Sequence, residues 1–317
     1  MGKVVPVFIG GCPRSGTTML ASLLGKHHSI LVTPESQFKE KLINSFPIRH
    51  KEDLINIINY LEKNFRFNIW DIAVNRDELY ENLQLTQYNH QTIIRYLLDE
   101  YNKANEVKNY RYWIDHTPEN IKNAISLYNH FDNCKFIHIV RDGRAIANSL
   151  KKVSWGGNST MFTSKYWMEH IAYGLALEKF LPNSSFMQTR YEDIILRPNE
   201  ELHRICSFIG IEYDERDFDG SGFKVPVYTK KQHQLVGKEI SQSRINLWET
   251  DLSEREIQIF EEMTNDLLIY LGYELKYPDV SLDLSLNQKL AIYAKEFILR
   301  GIDRFKHSRR KRKVNNS

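Results

Sequence analysis

The sequence predicts an α/β fold, a parallel β-sheet flanked by helices. Three observations support this: short apolar runs recur along the chain, each leads directly into a helix-patterned stretch, and the first junction is glycine-rich. Runs of this kind read as strands buried on both faces, and strand–helix alternation sets them parallel. The first is Val4–Ile9, ended by Gly10-Gly11. The helix after it spans Thr17 to Lys26, carries Met19, Leu20, Ala21, Leu23 and Leu24, and stops around Gly25. Trp113-Ile114-Asp115 closes another short strand before His116-Thr117-Pro118 opens a helix. Lys135–Val140 is a further buried strand, followed by a helix over Gly143–Lys152. Phe186–Thr189 leads through Tyr191-Glu192-Asp193 to a helix with Pro198 in its first turn. Residues 35–105 and 163–181 are helix-patterned and aromatic-rich, as expected of insertions that wall a pocket over the sheet.

Composition bounds the function. With 42% hydrophobic and 26% charged residues in 317, the chain has ample core, which excludes disorder and fibrous repeats. A net charge of +3 argues against nucleic acid as a partner. Cys12, Cys134 and Cys206 are far apart, with no paired spacing and no nearby histidine pattern, so neither a disulfide framework nor a metal site is expected. A reducing, cytoplasmic setting fits, with the Golgi lumen an option only if the chain is a trimmed piece. The expected division is a main domain over 1–278 and a C-terminal amphipathic helix with a basic tail over 279–317. In the latter, Leu286, Leu290, Tyr293, Phe297, Ile298, Ile302 and Phe305 keep helical spacing ahead of Arg309-Arg310-Lys311-Arg312-Lys313. That pattern fits a terminal helix docked on the body, or peripheral contact with anionic lipid.

The first junction carries the chemistry. Gly11, Gly16, Thr17 and Thr18 have the spacing of a phosphate-binding P-loop, with Thr17 where a lysine normally stands and Arg14 as a cation displaced upstream. Glycines let backbone N–H groups wrap an anion, and a helix beginning at Thr17 points its positive end at it. The missing lysine disfavours a triphosphate-and-magnesium kinase, the competing reading from another class. A second basic junction follows Val140: Arg141 ends the strand, and Ser149 lies eight residues on, about two helical turns, within reach of the same phosphate.

Pro13-Arg14-Ser15-Gly16-Thr17-Thr18 resembles the 5′-phosphosulfate loop of sulfotransferases that use 3′-phosphoadenosine-5′-phosphosulfate (PAPS). Val140-Arg141-Asp142-Gly143 through Ser149 resembles the same family's 3′-phosphate signature. Tyr191, in Arg190-Tyr191-Glu192-Asp193, stands where the family has an aromatic on the cofactor. Lys238, in Val236-Gly237-Lys238, stands in its late Gly-Lys segment. The pattern is similar to the subgroup that includes tyrosylprotein sulfotransferases and bacterial glycan sulfotransferases.

The resemblance implies PAPS as co-substrate, no required metal, and sulfuryl transfer to a hydroxyl of a carbohydrate or glycolipid-like acceptor, with a protein tyrosine as the alternative. It also implies that Arg14, Ser15, Gly16, Thr17, Thr18, Arg141, Ser149, Tyr191 and Lys238 bind the nucleotide. Glu35, in Thr33-Pro34-Glu35-Ser36, stands where the subgroup carries its catalytic base. His116 replaces a lysine usual in relatives at the leaving group, with Arg14 as the back-up cation. A protonated imidazole could donate there if Asp115 or Glu35 raised its pKa. An inactive nucleotide-binding relative is the alternative this departure leaves open. Trp155, Tyr166, Trp167, His170 and Tyr173 are candidate acceptor-pocket aromatics.

Overall fold

The computed structural model describes residues 4–279 except 51, 84–88, 106–108, 154–158, 218 and 227–241, together with five positions between 290 and 301. Its sheet has five strands: β1 (Val5–Gly11), β2 (Ile30–Val32), β3 (Tyr112–Asp115), β4 (Lys135–Val140) and β5 (Phe186–Arg190). The order is β2-β3-β1-β4-β5 and every neighbouring pair is parallel. Chain order therefore reverses at β1, which lies between β3 and β4. The crevice beyond the carboxyl ends at such a reversal is where open α/β sheets bind ligands.

Helix α1 (Thr17–Leu24) follows β1 directly. Between β2 and β3 come α2 (Phe38–Ser45), α3 (Asp53–Glu62), α4 (Phe65–Asn68), α5 (Arg76–Leu83) and α6 (His90–Asn105). A 3₁₀ turn over Pro118–Ile121 and α7 (Ala124–His130) lead into β4. Then come α8 (Gly143–Lys151) and α9 (Thr160–Phe180), and after β5 come α10 (Tyr191–Leu196), α11 (Pro198–Ile209), α12 (Trp248–Asp251) and α13 (Glu254–Tyr270). Within residues 4–279 the strands expected from the sequence are present, as are the helices after them, except that the one expected to open at Pro118 is a 3₁₀ turn. The three-residue β2 was not expected, being too short for an apolar run to stand out.

Side-chain alternation along β1 builds two cores. Phe8 packs on one face with Leu31, Trp113, Phe136 and the inserted helices, while Val7 and Ile9 pack on the other with Leu20, Leu24, Ile114 and Ile194. The inserted helices are held by their apolar faces: Leu54, Ile57, Ile58 and Leu61 of α3 are fully buried at helical spacing. Each such side chain contributes about 2 kcal/mol. A third cluster joins α8, α9 and α13 through Ile146, Trp167, Ile171 and Phe260. Most of the C-terminal amphipathic segment lies outside the described residues. Leu290, Phe297 and Ile298 are exposed. No helix among the described residues is long and apolar enough to cross a membrane.

Candidate functional site

Between β1 and α1 the chain makes a tight anion-sized turn. Arg14 and Gly16 both have left-handed backbones (φ 79° and 104°). This conformation is costly for Arg14, and such strain concentrates at functional loops. Gly16 is required twice over, because a Cβ there would lie 2.7 Å from the Tyr191 ring. Ser15 donates through its hydroxyl to the Cys12 carbonyl, closing the turn. Gly16 at the N-cap of α1 makes no side-chain cap hydrogen bond, which leaves the first N–H groups of the helix without that partner.

The second basic junction lies against the first. Arg141 donates to the Arg14 carbonyl (2.8 Å), and Arg14 Nε donates to Ser149 Oγ (3.0 Å) across 135 residues of sequence. The Arg141 guanidinium stacks 4.0 Å above the Tyr191 ring, and its buried Nε has no partner among the described residues. Burial, with Arg141 nearby, lowers the Arg14 pKa. Two crowded, partly desolvated guanidinium groups with an orphaned donor form a cradle that an anion would relieve.

The junction is braced from below. Asp142 caps α8 by accepting from Arg144 N (2.8 Å), and the buried Arg144 side chain is gripped by Asp142 and Glu261. Glu192 accepts from the Asp142 N–H and the Tyr273 hydroxyl, both at 3.0 Å. Trp167 Nε1 donates to the Arg141 carbonyl (3.0 Å). Of the nucleotide-binding residues expected from sequence, Arg14, Ser15, Gly16, Thr17, Thr18, Arg141, Ser149 and Tyr191 occupy this contiguous region. Lys238 and Trp155 lie outside the described residues.

Thr18 leads to the other half of the site. Together with Glu35, Arg66, His116 and Phe223 it lines a cavity beyond the ends of β2 and β3. Burial raises the Glu35 carboxyl to a pKa of about 7, with Glu119 and Asp115 adding to the rise and Arg66 opposing it. Gln37 Nε2 orients that carboxyl by donating to Oε2 (2.8 Å). The inserted helices thus reach the cavity through α4, which presents Arg66.

His116 departs from the sequence expectation. Its pKa falls to about 4, because burial outweighs the attraction of Asp115. Asp115 is instead committed to Lys39 (2.6 Å) in a fully buried pair. The imidazole is therefore neutral at pH 7. Nδ1 lies 3.4 Å from the Thr18 hydroxyl, the ring meets Phe223 edge-on at 5.1 Å, and buried Nε2 has no partner among the described residues.

The α9 aromatics do not line this cavity. Trp167 and His170 are fully buried, Tyr166 packs against the third core cluster, and Tyr173 lies beside Lys122. Arg66, Lys39 and Phe223 were missed from sequence, since no local motif marks them. Phe223 arrives because its loop is fixed to α1: Gly222 N donates to the Ser22 carbonyl (3.1 Å) and Lys26 pairs with Asp219 (2.6 Å).

A central strand running through a left-handed glycine loop into an uncapped helix, beside a second basic junction at the topological reversal, defines an α/β protein of the phosphate-loop class. More narrowly, the chain belongs to the sulfotransferase family, whose family model matches residues 6–215. It is 24% identical over 244 residues to protein-tyrosine sulfotransferase A of Caenorhabditis elegans, covering 75% of this chain and 55% of that one. It is 27% identical over 297 residues to nodulation protein NoeE of Sinorhizobium fredii, covering 84% of this chain and 65% of the relative. This chain thus spans less than two thirds of either relative's length. Among solved structures, the sulfotransferase domain of the Synechococcus PCC 7002 olefin synthase shares the fold. Its TM-score is 0.55 at 21% identity, with 87% of this chain and 97% of that one covered.

Proposed function

We propose that the chain is a PAPS-dependent sulfotransferase acting on a hydroxyl acceptor. The observation that carries this reading is the direct contact between the two basic junctions, through Arg14 to Ser149 and Arg141 to the Arg14 carbonyl. Such contact suits one ligand bearing phosphate at both ends of an adenosine. The loop N–H groups and Arg14 would hold the 5′-phosphosulfate, and Arg141, Ser149 and Tyr191 the 3′-phosphate side.

Glu35 is the base. It takes the acceptor's hydroxyl proton as the acceptor oxygen bonds to sulfur. The bond from sulfur to the bridging oxygen breaks, leaving adenosine 3′,5′-bisphosphate, whose new charge falls to Arg14 and the loop donors. Neutral His116 serves as a hydrogen-bonding group rather than a cation. In the tautomer whose Nδ1 accepts from the Thr18 hydroxyl, the hydrogen sits on Nε2, the atom without a partner among the described residues, and can be donated. Nothing in this scheme calls on a metal.

For the acceptor, the mixed wall of Glu35, Arg66, Ile69 and Phe223 suits a sugar ring of a glycan or glycolipid. A protein tyrosine is a second reading, favoured by the nematode relative, a protein-tyrosine sulfotransferase. A cytoplasmic location, with the basic tail touching anionic lipid, completes the proposal. Incubation with sulfur-labelled PAPS and parallel panels of oligosaccharides, glycolipids and tyrosine peptides tests it. Label should enter one panel, and transfer to none would discard the enzymatic reading.

A further inference from the structure

We propose that Lys39 and Asp115, buried beneath the cavity, are positioning residues that fix Glu35 and His116 relative to each other. The proposal rests on the reading of Glu35 as base given above. Neither residue belongs to the phosphate loops, and both side chains are fully shielded from solvent. A buried pair of charges is expensive to desolvate, so it earns its place only through further hydrogen bonds or a positional role. This pair has both.

Asp115 accepts from Lys39 Nζ, from Thr117 N (3.0 Å) and Oγ1 (2.6 Å), and from the Ser36 hydroxyl. Ser36 N donates to Thr117 Oγ1 (3.0 Å). Lys39 Nζ also donates to Asn120 Oδ1 (2.6 Å), and Asn120 Nδ2 donates to the carbonyls of Ile9 (3.1 Å) and Asp115 (3.0 Å). The network therefore stitches three segments together: the turn holding Glu35, the turn holding His116, and the end of β1 just before the phosphate loop. Ser36 is one residue from Glu35, and Asp115 is one residue from His116. Displacing either turn would change both the distance between the two groups and their exposure to water. The charged groups that act on Glu35 are Arg66 from α4, Glu119 from the 3₁₀ turn and Asp115 itself, with Arg14 across the loop.

The test uses the full chain and needs no acceptor for its main readout. In Lys39→Met/Asp115→Leu, apolar groups of similar volume replace the pair, which keeps the fold while cutting the stitches. Ser36→Ala is a milder variant should the double variant fail to fold. Carboxyl and imidazole carbon NMR titrations follow Glu35 and His116, and calorimetry with adenosine 3′,5′-bisphosphate reports the phosphate loops.

The expected result in Ser36→Ala, which cuts a stitch and removes no charge, is that the Glu35 midpoint falls from about 7 and that of His116 rises from about 4 as water reaches both; in the double variant, loss of the Asp115 charge lowers Glu35 further and holds His116 down. Bisphosphate affinity should stay within about twofold in both variants. Where turnover is measurable, the acid limb of its pH profile moves with Glu35, and kcat drops on the order of 100-fold. Unmoved midpoints in folded Ser36→Ala that still binds bisphosphate would overturn the positioning role. Failure of the unmodified chain to bind bisphosphate would instead strike the functional reading on which it rests.

Discussion

The two halves of the site are built by different means. On the phosphate side, the groups that would touch the ligand come from three short stretches, Cys12–Thr18, Arg141–Ser149 and Tyr191, each at the junction of a strand and the helix after it. On the cavity side, Glu35, Arg66, His116 and Phe223 come from four separate segments, held by a buried ionic network and by a loop tied to α1. Anion binding by backbone N–H groups needs only local geometry. Poising a carboxyl near pH 7 and keeping an imidazole neutral needs desolvation, which no short segment supplies alone.

The sharpest way to separate the halves is Glu35→Gln. It should lower turnover on the order of 10³-fold while leaving bisphosphate affinity within about twofold by calorimetry. Retained turnover would remove Glu35 as the base and, with it, the distinction between the two regions. Arg141→Ala should do the converse, weakening adenosine 3′,5′-bisphosphate about 30- to 100-fold through loss of a charged phosphate contact, with 5′-AMP much less affected. Equal weakening of both ligands would mean that Arg141 does not address the 3′ end.

Gly16→Ala should cost about tenfold in bisphosphate affinity. A side chain at that left-handed position is strained by about 1–2 kcal/mol and would press on Tyr191. Unchanged affinity would show that the loop's shape is less constrained than its geometry indicates.

The pH dependence sharpens the contrast further. A base must be deprotonated, so kcat/KM should rise through a pKa of about 7 and lose roughly tenfold per unit below it. Stability responds in a lower window. Burial depresses His116, His138 and His170 to about 4. The unfolded chain therefore takes protons near 6.5 that the folded chain refuses until about 4, and the stabilisation present above 6.5 is lost as pH falls between those values. Glu35 and Glu40, both raised to about 7, take up protons in the folded chain over part of the same interval and oppose that loss, so thermal melts should show Tm declining less steeply than three imidazoles alone would give. A Tm that rises steadily as pH falls from 6.5 to about 4 would mean that these imidazoles are hydrated.

The ionisation of His116 shows where reading the sequence stopped. Asp115 is its chain neighbour and suggests a raised pKa, yet in the folded chain that carboxylate is engaged by Lys39, a residue 76 positions earlier. The α9 aromatics, which lie away from the cavity, show a related limit. Periodicity shows that Trp167 belongs on a helix, but not whether it meets a cavity or Phe260 of α13. Arg66 was invisible because a single arginine in a short helix carries no spacing to read.

What the sequence determined by itself was the parallel α/β sheet, its strand-to-helix junctions and the two basic loops, because buried strands, glycine turns and helix starts are written in residues close together along the chain. Only the tertiary structure decided that Arg14 reaches Ser149, that Glu35 is lifted to about 7 and that His116 is neutral. Those properties depend on which distant groups exclude water and which charges they bring, and both are set when the segments pack.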